Sequence, residues 1–187
     1  MNYFGSFFML KGALHVHTNY SDGAFPPEEM LDMYLALGFD FVAVTDHEYL
    51  VRSKDLKDIP DMIGNMLVFK GIELEPPELG HRHVLYIPGE AEVLRVLCHP
   101  DAYHMTIEEV LTDINSSPWP IDAVEITYQG FYTPRYDTPL IKLPKVATDD
   151  AHEEWAVGRA WIEVNSRRDR DSIIAQIKAG KFRNAFR

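Results

Sequence analysis

Residues 10–47, LKGALHVHTNYSDGAFPPEEMLDMYLALGFDFVAVTDH, hold the alternation that decides the fold. Leu10 to Val16 is an apolar run that reads as a strand. Pro26 to Leu37 opens with Pro-Pro-Glu-Glu; proline is tolerated in a first helical turn, and the segment reads as a helix that Gly38 stops. Phe39 to Thr45 (FDFVAVT) is a second apolar run of strand length. Strand, helix and strand in this order form the unit of parallel α/β proteins.

Outward from this unit the alternation continues. Strands are expected at Met66 to Glu73, His83 to Ile87, Val93 to His99, Ala123 to Thr127, Lys145 to Thr148 and Arg159 to Val164. Helices are expected from Thr106 to Ile114 and from Asp171 to Ala179, the second with Ile173, Ile174 and Ile177 on one side and Gly180 as its stop. Arg52 to Ile63, Asn115 to Pro120 and Gln129 to Thr138 read as loops, and Phe4 to Leu10 as a strand entering the core. Polar clusters recur at the ends of many of the apolar runs, which favours a small or distorted barrel over an open sheet. At 187 residues, 46% hydrophobic and 25% charged, the chain suits one domain over residues 1–187.

The formal net charge of −11 opposes an extended nucleic-acid surface or an anionic membrane partner, both of which need clustered Lys and Arg. Cys98 is the single cysteine, so no internal disulfide can form and a reducing, cytoplasmic location is expected.

Chemistry enters at His15-Val-His17. Residues two apart on a strand share a face, so both imidazoles can reach one cation. Asp22 follows in a Ser-Asp-Gly turn. The second apolar strand ends in Thr45-Asp46-His47, at the rim where α/β proteins keep their active sites. Glu73 ends the run MLVFKGIE, His83 and His99 border further runs, and Asp150 and His152 repeat the i, i+2 spacing of the first pair. Cys98 alternates away from His99 and reads as a small core residue; His104 lies in a polar loop. A barrel brings these strand ends onto one rim, which predicts a shared metal site.

The ordered series HxHTxxSDG (His15 to Gly23), TDH (Thr45 to His47), GxE (Gly71 to Glu73), HxxxxP (His83 to Pro88), HP (His99-Pro100) and DxH (Asp150 to His152) resembles the polymerase and histidinol phosphatase (PHP) family. The resemblance runs from about Leu10 to Val164. It implies a distorted (β/α)7 barrel holding two to three divalent ions. By similarity one ion would be held by His15, His17, Glu73 and Asp150, a second by Glu73, His83 and His99, and a third by Asp22, His47 and His152. Imidazole and carboxylate without thiolate suit Zn, Mn or Fe and do not separate them. Larger relatives carry long insertions over the pocket, whereas only about 50 residues separate His99 from Asp150 here, so an open pocket is expected.

The function expected is hydrolysis of a small phosphate ester by water activated at the metals. Three divalent ions against Asp22, Glu73 and Asp150 would leave a local excess of about three positive charges, which attracts a phosphate. Asp46 and His81 are candidates for catalytic proton transfer or for a supporting role behind the ligands. Arg135 and Arg159 could bind the substrate phosphate or be solvated at the surface, and Tyr128, Phe131, Tyr132 and Tyr136 could stack on a ring or cover the barrel edge. Two other readings compete. An amidohydrolase-type C–N hydrolase would need a bridging lysine, for which Lys70 is the candidate. A non-catalytic metal-binding module would keep the ligands without turnover.

Overall fold

The computed structural model describes residues 7–52 and 55–187. The chain runs through β1 (Phe8–Val16), α1 (Pro27–Ala36), β2 (Phe41–Val44), a one-turn α2 (Asp55–Asp58), β3 (Met62–Ile63), β4 (Met66–Lys70) and β5 (Ile72–Leu74). It continues through β6 (Val84–Pro88), β7 (Val93–Leu97), α3 (Ile107–Ser116), β8 (Ala123–Glu125), β9 (Thr127–Tyr128) and β10 (Phe131–Tyr132). The last elements are β11 (Lys145–Val146), β12 (Ala160–Ser166), α4 (Arg170–Lys178) and β13 (Phe182–Phe186). The expected helices are present because each has its start signal. Thr106 and Glu109 form a capping box before α3, and the Asp169 side chain accepts the Ser172 amide at the start of α4.

The strands build two main sheets, one of six strands in the order β13-β12-β1-β2-β4-β3 and one of five in the order β11-β8-β7-β6-β5. Both centres are parallel: β1 with β2, β2 with β4, β7 with β8 and β8 with β11. The expected uninterrupted α/β alternation is corrected elsewhere, since β5, β6 and β7 are antiparallel neighbours, β12 runs antiparallel to β1, and β13 runs antiparallel to β12. For β6 and β7 the reason is connection length: they are joined by a tight turn, which closes a hairpin but is too short for a crossover helix.

Three expected segments change shape. Met66 to Glu73 is not one strand, because β4 belongs to the first sheet and β5 to the second. The corner is Gly71, where an added Cβ would lie 2.9 Å from both the Thr45 side chain and the Tyr86 carbonyl oxygen. The loop expected over Gln129 to Thr138 contains β10, and that over Arg52 to Ile63 contains α2 and β3. In the N-terminal run, residues 4–6 lie outside the described residues, Phe7 to Met9 are exposed, and the strand enters the core at Leu10.

Burial divides the core by face. Leu10, Leu14, Phe41, Phe69, Leu85, Val96 and Ile162 pack between the sheets together with Ile173 and Ile177 of α4. Ala13, Val16, Val42, Val44 and Val68 pack on the outer side against Met30, Leu31 and Tyr34 of α1. Strict alternation cannot place Leu14 inside and Val16 outside. The register of β1 against β2 shifts between Ala13 and Val16, and this irregularity reverses the faces, turning His15 and His17 inward. Two isolated parallel bridges then join the sheets, Val16 to Ala151 and His47 to Glu73. They bring the ends of β1, β2 and β5 beside the segment that follows β11.

A candidate metal centre

The two bridges gather all nine residues proposed as ligands from the sequence. His15 and His17 end β1, His47 follows β2, Glu73 is the middle of β5, His83 and His99 flank β6 and β7, and Asp150 and His152 follow β11. Asp22 reaches the same place from the loop after β1. That loop is held by Asp46, whose carboxylate accepts the Thr18 amide and the Thr18 hydroxyl, each at 2.7 Å, and the Ser21 hydroxyl. The side-chain donors fall into groups that could each enclose an ion: His15, Glu73 and His99; His15, His17 and Asp150; His47, Glu73 and His83; and His17, Asp22, His47 and His152.

Glu73 is the hub. Its carboxylate is buried and lies 3.4 Å from His15 Nε2, 3.3 Å from His17 Nε2, 3.0 Å from His47 Nδ1, 2.8 Å from His83 Nδ1 and 3.1 Å from His99 Nε2. Asp150 Oδ1 adds contacts at 3.4 Å to His15 and 3.5 Å to His17. Asp22 stands within 3.4 Å of His17 and His47 and 3.2 Å of His152. Ligands about 2.1 Å from a tetrahedral cation lie roughly 3.4 Å from one another, so the spacing fits shared coordination. The orientations agree with it. His47 Nδ1, His83 Nδ1 and Glu73 Oε2 are buried and make no hydrogen bond despite their short separations, because they are not aligned as donor and acceptor. Orphaned buried atoms converging in this way are what a divalent ion would satisfy.

The electrostatics point the same way. Burial would raise the Glu73 carboxyl, but the charge of His15 and the close imidazoles of His17 and His83 hold it well below the usual carboxylate range. Burial opposes the charged form of His17, yet the neighbouring carboxylates of Asp22 and Glu73 lift its imidazole to about 9. His15 is likewise raised despite burial, by the charges of Asp150, Glu125 and Glu73. The carboxylates therefore favour positive charge at these imidazoles, and a bound cation would compete with protons for the same nitrogens.

Glu125 escaped the sequence reading. It is fully buried in β8; one oxygen accepts from His15 Nδ1 at 2.8 Å and the Thr148 hydroxyl at 2.8 Å, and the other accepts the His99 amide at 2.6 Å. It therefore fixes which ring nitrogen of His15 faces the cluster, and it anchors His99, whose backbone takes the unfavourable φ of 23°. Its carboxyl stays ionised although burial works against it, chiefly through the His15 charge. The signal was a carboxylate inside the apolar run Ala123 to Ile126, which reads as a strand end when taken alone.

The remaining candidates lie apart from the ligand groups. His81 has a 64% exposed side chain 3.8 Å from Glu75 and joins no ligand group. Asp46 has both oxygens engaged by the 18–21 loop. Arg135 is exposed beside the Tyr136 ring, while Tyr136 itself is buried and hydrogen-bonds the Met105 carbonyl. Arg159 lies over Phe131 in a neighbouring cleft. Cys98 has its sulfur near His15, Glu73 and His99, but burial pushes its thiol well up and it contacts the Val96 carbonyl, so it stays a neutral core group. The site is ringed by tyrosines: Tyr49 stands 5.3 Å from His47 and Tyr103 5.6 Å from His99, between ring centres.

Comparison with known proteins places this geometry. Over 79 residues, 35% of this chain and 14% of the relative, the sequence is 28% identical to the DNA polymerase/3′-5′ exonuclease PolX of Bacillus subtilis. A two-domain Bacteroides vulgatus protein containing a predicted PHP-like metal-dependent phosphoesterase shares the fold with a TM-score of 0.77 at 17% identity, over 96% of this chain and 65% of that one. PsfC of Pseudomonas syringae superposes with a TM-score of 0.68 at 15% identity, over 97% and 92% of the two chains. The chain thus spans a small part of the polymerase and under two thirds of the two-domain protein. The sequence model of the PHP domain matches residues 13–140, a span holding His15 through His99, and a PHP-associated model matches 141–182, which holds Asp150 and His152. With that match covering most of the chain and all the ligand-bearing segments lying in one or other model, the chain belongs to the PHP domain family.

Proposed function

We propose that this protein is a metal-dependent phosphoesterase that hydrolyses a small phosphate ester at a centre of two to three divalent ions, Zn, Mn or Fe. The observation that carries it is the Glu73 carboxylate within 3.4 Å of five imidazoles. His15, His17, Glu73 and Asp150 would hold one ion, Glu73, His83 and His99 a second, and Asp22, His47 and His152 a third. Bound there, the ions would acidify water and neutralise phosphate oxygens. In the net reaction the water oxygen joins phosphorus, the ester P–O bond breaks, and the alcohol leaves with a proton drawn from solvent at the open mouth. The chain's part is positioning: Glu125 holds His15 and His99, and Asp46 holds the loop that presents Asp22. Glu125 also lowers the local excess from about three positive charges to about two, which still favours a phosphate dianion.

We read the two sheets as a distorted (β/α)7 barrel with staves β1, β2, β4–β5, β6, β7, β8 and β11. The Gly71 corner and the Val16–Ala151 bridge support this closure. Against the C–N hydrolase reading, Lys70 pairs with Asp61 at 3.3 Å, and the group set among the imidazoles is the Glu73 carboxylate. No described helix is long and apolar enough to cross a membrane, and a reducing cytoplasm suits the lone Cys98.

The test is metal content by mass spectrometry on the purified chain, with turnover of p-nitrophenyl phosphate and bis(p-nitrophenyl) phosphate beside a panel of amides. Ester hydrolysis that disappears together with the metal in His17→Ala is the expected result. Amide turnover alone would select the C–N hydrolase, and full metal occupancy without ester turnover would leave a binding module.

A further inference from the structure

One cationic feature stands outside the metal cluster, and the geometry points to it as a second substrate subsite. On this inference, which rests on the phosphoesterase reading, the ester has a planar ring and a second anionic group. The hydrolysed phosphate sits at the metals and the second anion between Arg159 and Arg187.

The arginines of this acidic chain are mostly paired with carboxylates: Arg52, Arg82, Arg167, Arg168, Arg170 and Arg183 all are. Arg95, Arg135, Arg159 and Arg187 have no acidic partner within salt-bridge distance among the described residues, and of these Arg159 and Arg187 line one cleft of about 510 Å³ with Glu154 and Trp155. That volume is in the range of small-molecule sites, and too large for a phosphate alone. The Arg159 guanidinium carbon stands 4.0 Å from the Phe131 ring centre and 5.5 Å from that of Trp155, whose side chains are 54% and 55% exposed. A guanidinium held on rings keeps its edge free for a bidentate anion, and the exposed ring faces can take a planar group.

The Arg159 stem is fixed from below. Gly130 has φ of 77°, and a Cβ there would fall 2.6 Å from the Arg159 Cβ, so the β9–β10 turn lies flat against the arginine. The segment leading from His152 to Arg159 is pinned where Asp149 accepts the Gly158 amide at 2.8 Å.

An aromatic row links Arg159 to the proposed ligands. In the β9–β10 hairpin Tyr128 pairs directly with Phe131, so the two rings share a face with Cβ atoms about 5 Å apart. Tyr128 stands 6.4 Å from His99, and Phe131 carries Arg159. A row of aromatic faces therefore runs from His99 to Arg159, and a ligand spanning it needs two anionic ends.

The test uses the manganese-loaded protein with 5′-phosphorylated thymidine dinucleotide against thymidine 5′-monophosphate and p-nitrophenyl phosphate. Calorimetry on the wild type should give about tenfold or more tighter binding of the dinucleotide than of the mononucleotide, the worth of one charge-assisted contact. Arg159→Met, which keeps the stem, and Trp155→Ala should each erase that ratio. Each should raise KM for the dinucleotide about tenfold while moving KM for p-nitrophenyl phosphate by about twofold or less. Equal affinity for the two nucleotides in the wild type overturns the subsite, as does an equal loss on both substrates in the variants. A retained ratio without turnover of any ester keeps the subsite and removes the phosphoesterase reading instead.

Discussion

The two halves of the proposed metal cluster are built differently. His15, Glu73 and His99 are buried at strand ends, and Glu125 reaches from β8 to fix the ring of one and the backbone of another. Asp22 and His152 sit on loops with side chains 45% and 29% exposed, and they meet mainly each other, His17 and His47. Sheets hold ligands where nothing needs to move; loops hold them where substrate and solvent must enter. The buried half should therefore set whether metal binds at all, and the exposed half how many ions stay.

Glu73→Gln is the harshest way to break this contrast. It removes the carboxylate that five histidines share, so metal content by mass spectrometry should fall by about two ions per chain, together with ester turnover. Full occupancy in that variant would mean that the buried half is no core. Glu125→Gln comes next. Losing a carboxylate behind a ligand typically costs about 10–100-fold in metal affinity, read here by chelator competition. The same loss in Glu125→Asp, and none in Thr148→Val, would assign the effect to the His15 and His99 contacts and not to general packing.

Asp22→Asn should cost about one ion per chain by mass spectrometry and lower the thermal midpoint less than Glu73→Gln does, because fewer bound ions are lost. Loss of every ion would erase the distinction between the halves.

The smallest effect is a control far from the ligands. Asp171 accepts the amides of Glu92, Ala91 and Glu90, in that order of influence, and these hold its carboxyl below the usual range. A depressed carboxyl stabilises the fold above about pH 4 and ceases to do so as pH falls through its lowered value. Wild type and Asp171→Ala should differ modestly in urea midpoint at pH 7 and converge in acid, with equal metal content throughout. A gap that widens in acid would reverse the sign.

Much of this was legible in the sequence, for a physical reason. Histidine is scarce, so His47, His83 and His99 at the edges of apolar runs stand out, and the fold brings all nine chosen residues together. What stayed hidden depends on pairing between distant strands. Glu125 looks like an ordinary strand-end acid until β1 and β7 arrive beside it. Met66 to Glu73 looks like one strand because nothing local says that Gly71 turns a corner. The antiparallel β13 carries a mixed, half-exposed pattern that only its partner β12 explains. Likewise, Arg159 gains its neighbours from a hairpin and a loop that meet only in three dimensions.

The register shift in β1 has a consequence for anyone wishing to transplant this centre. Two histidines spaced by one residue carry no instruction about which way they face; the irregularity between Ala13 and Val16 supplies it. Grafting His-Val-His onto a regular strand at the same parity would aim both rings at the covering helix. Conversely, deleting Leu14 would remove the extra residue and leave Val16 opposite Val44, so a regular strand would then carry both rings inward without any irregularity.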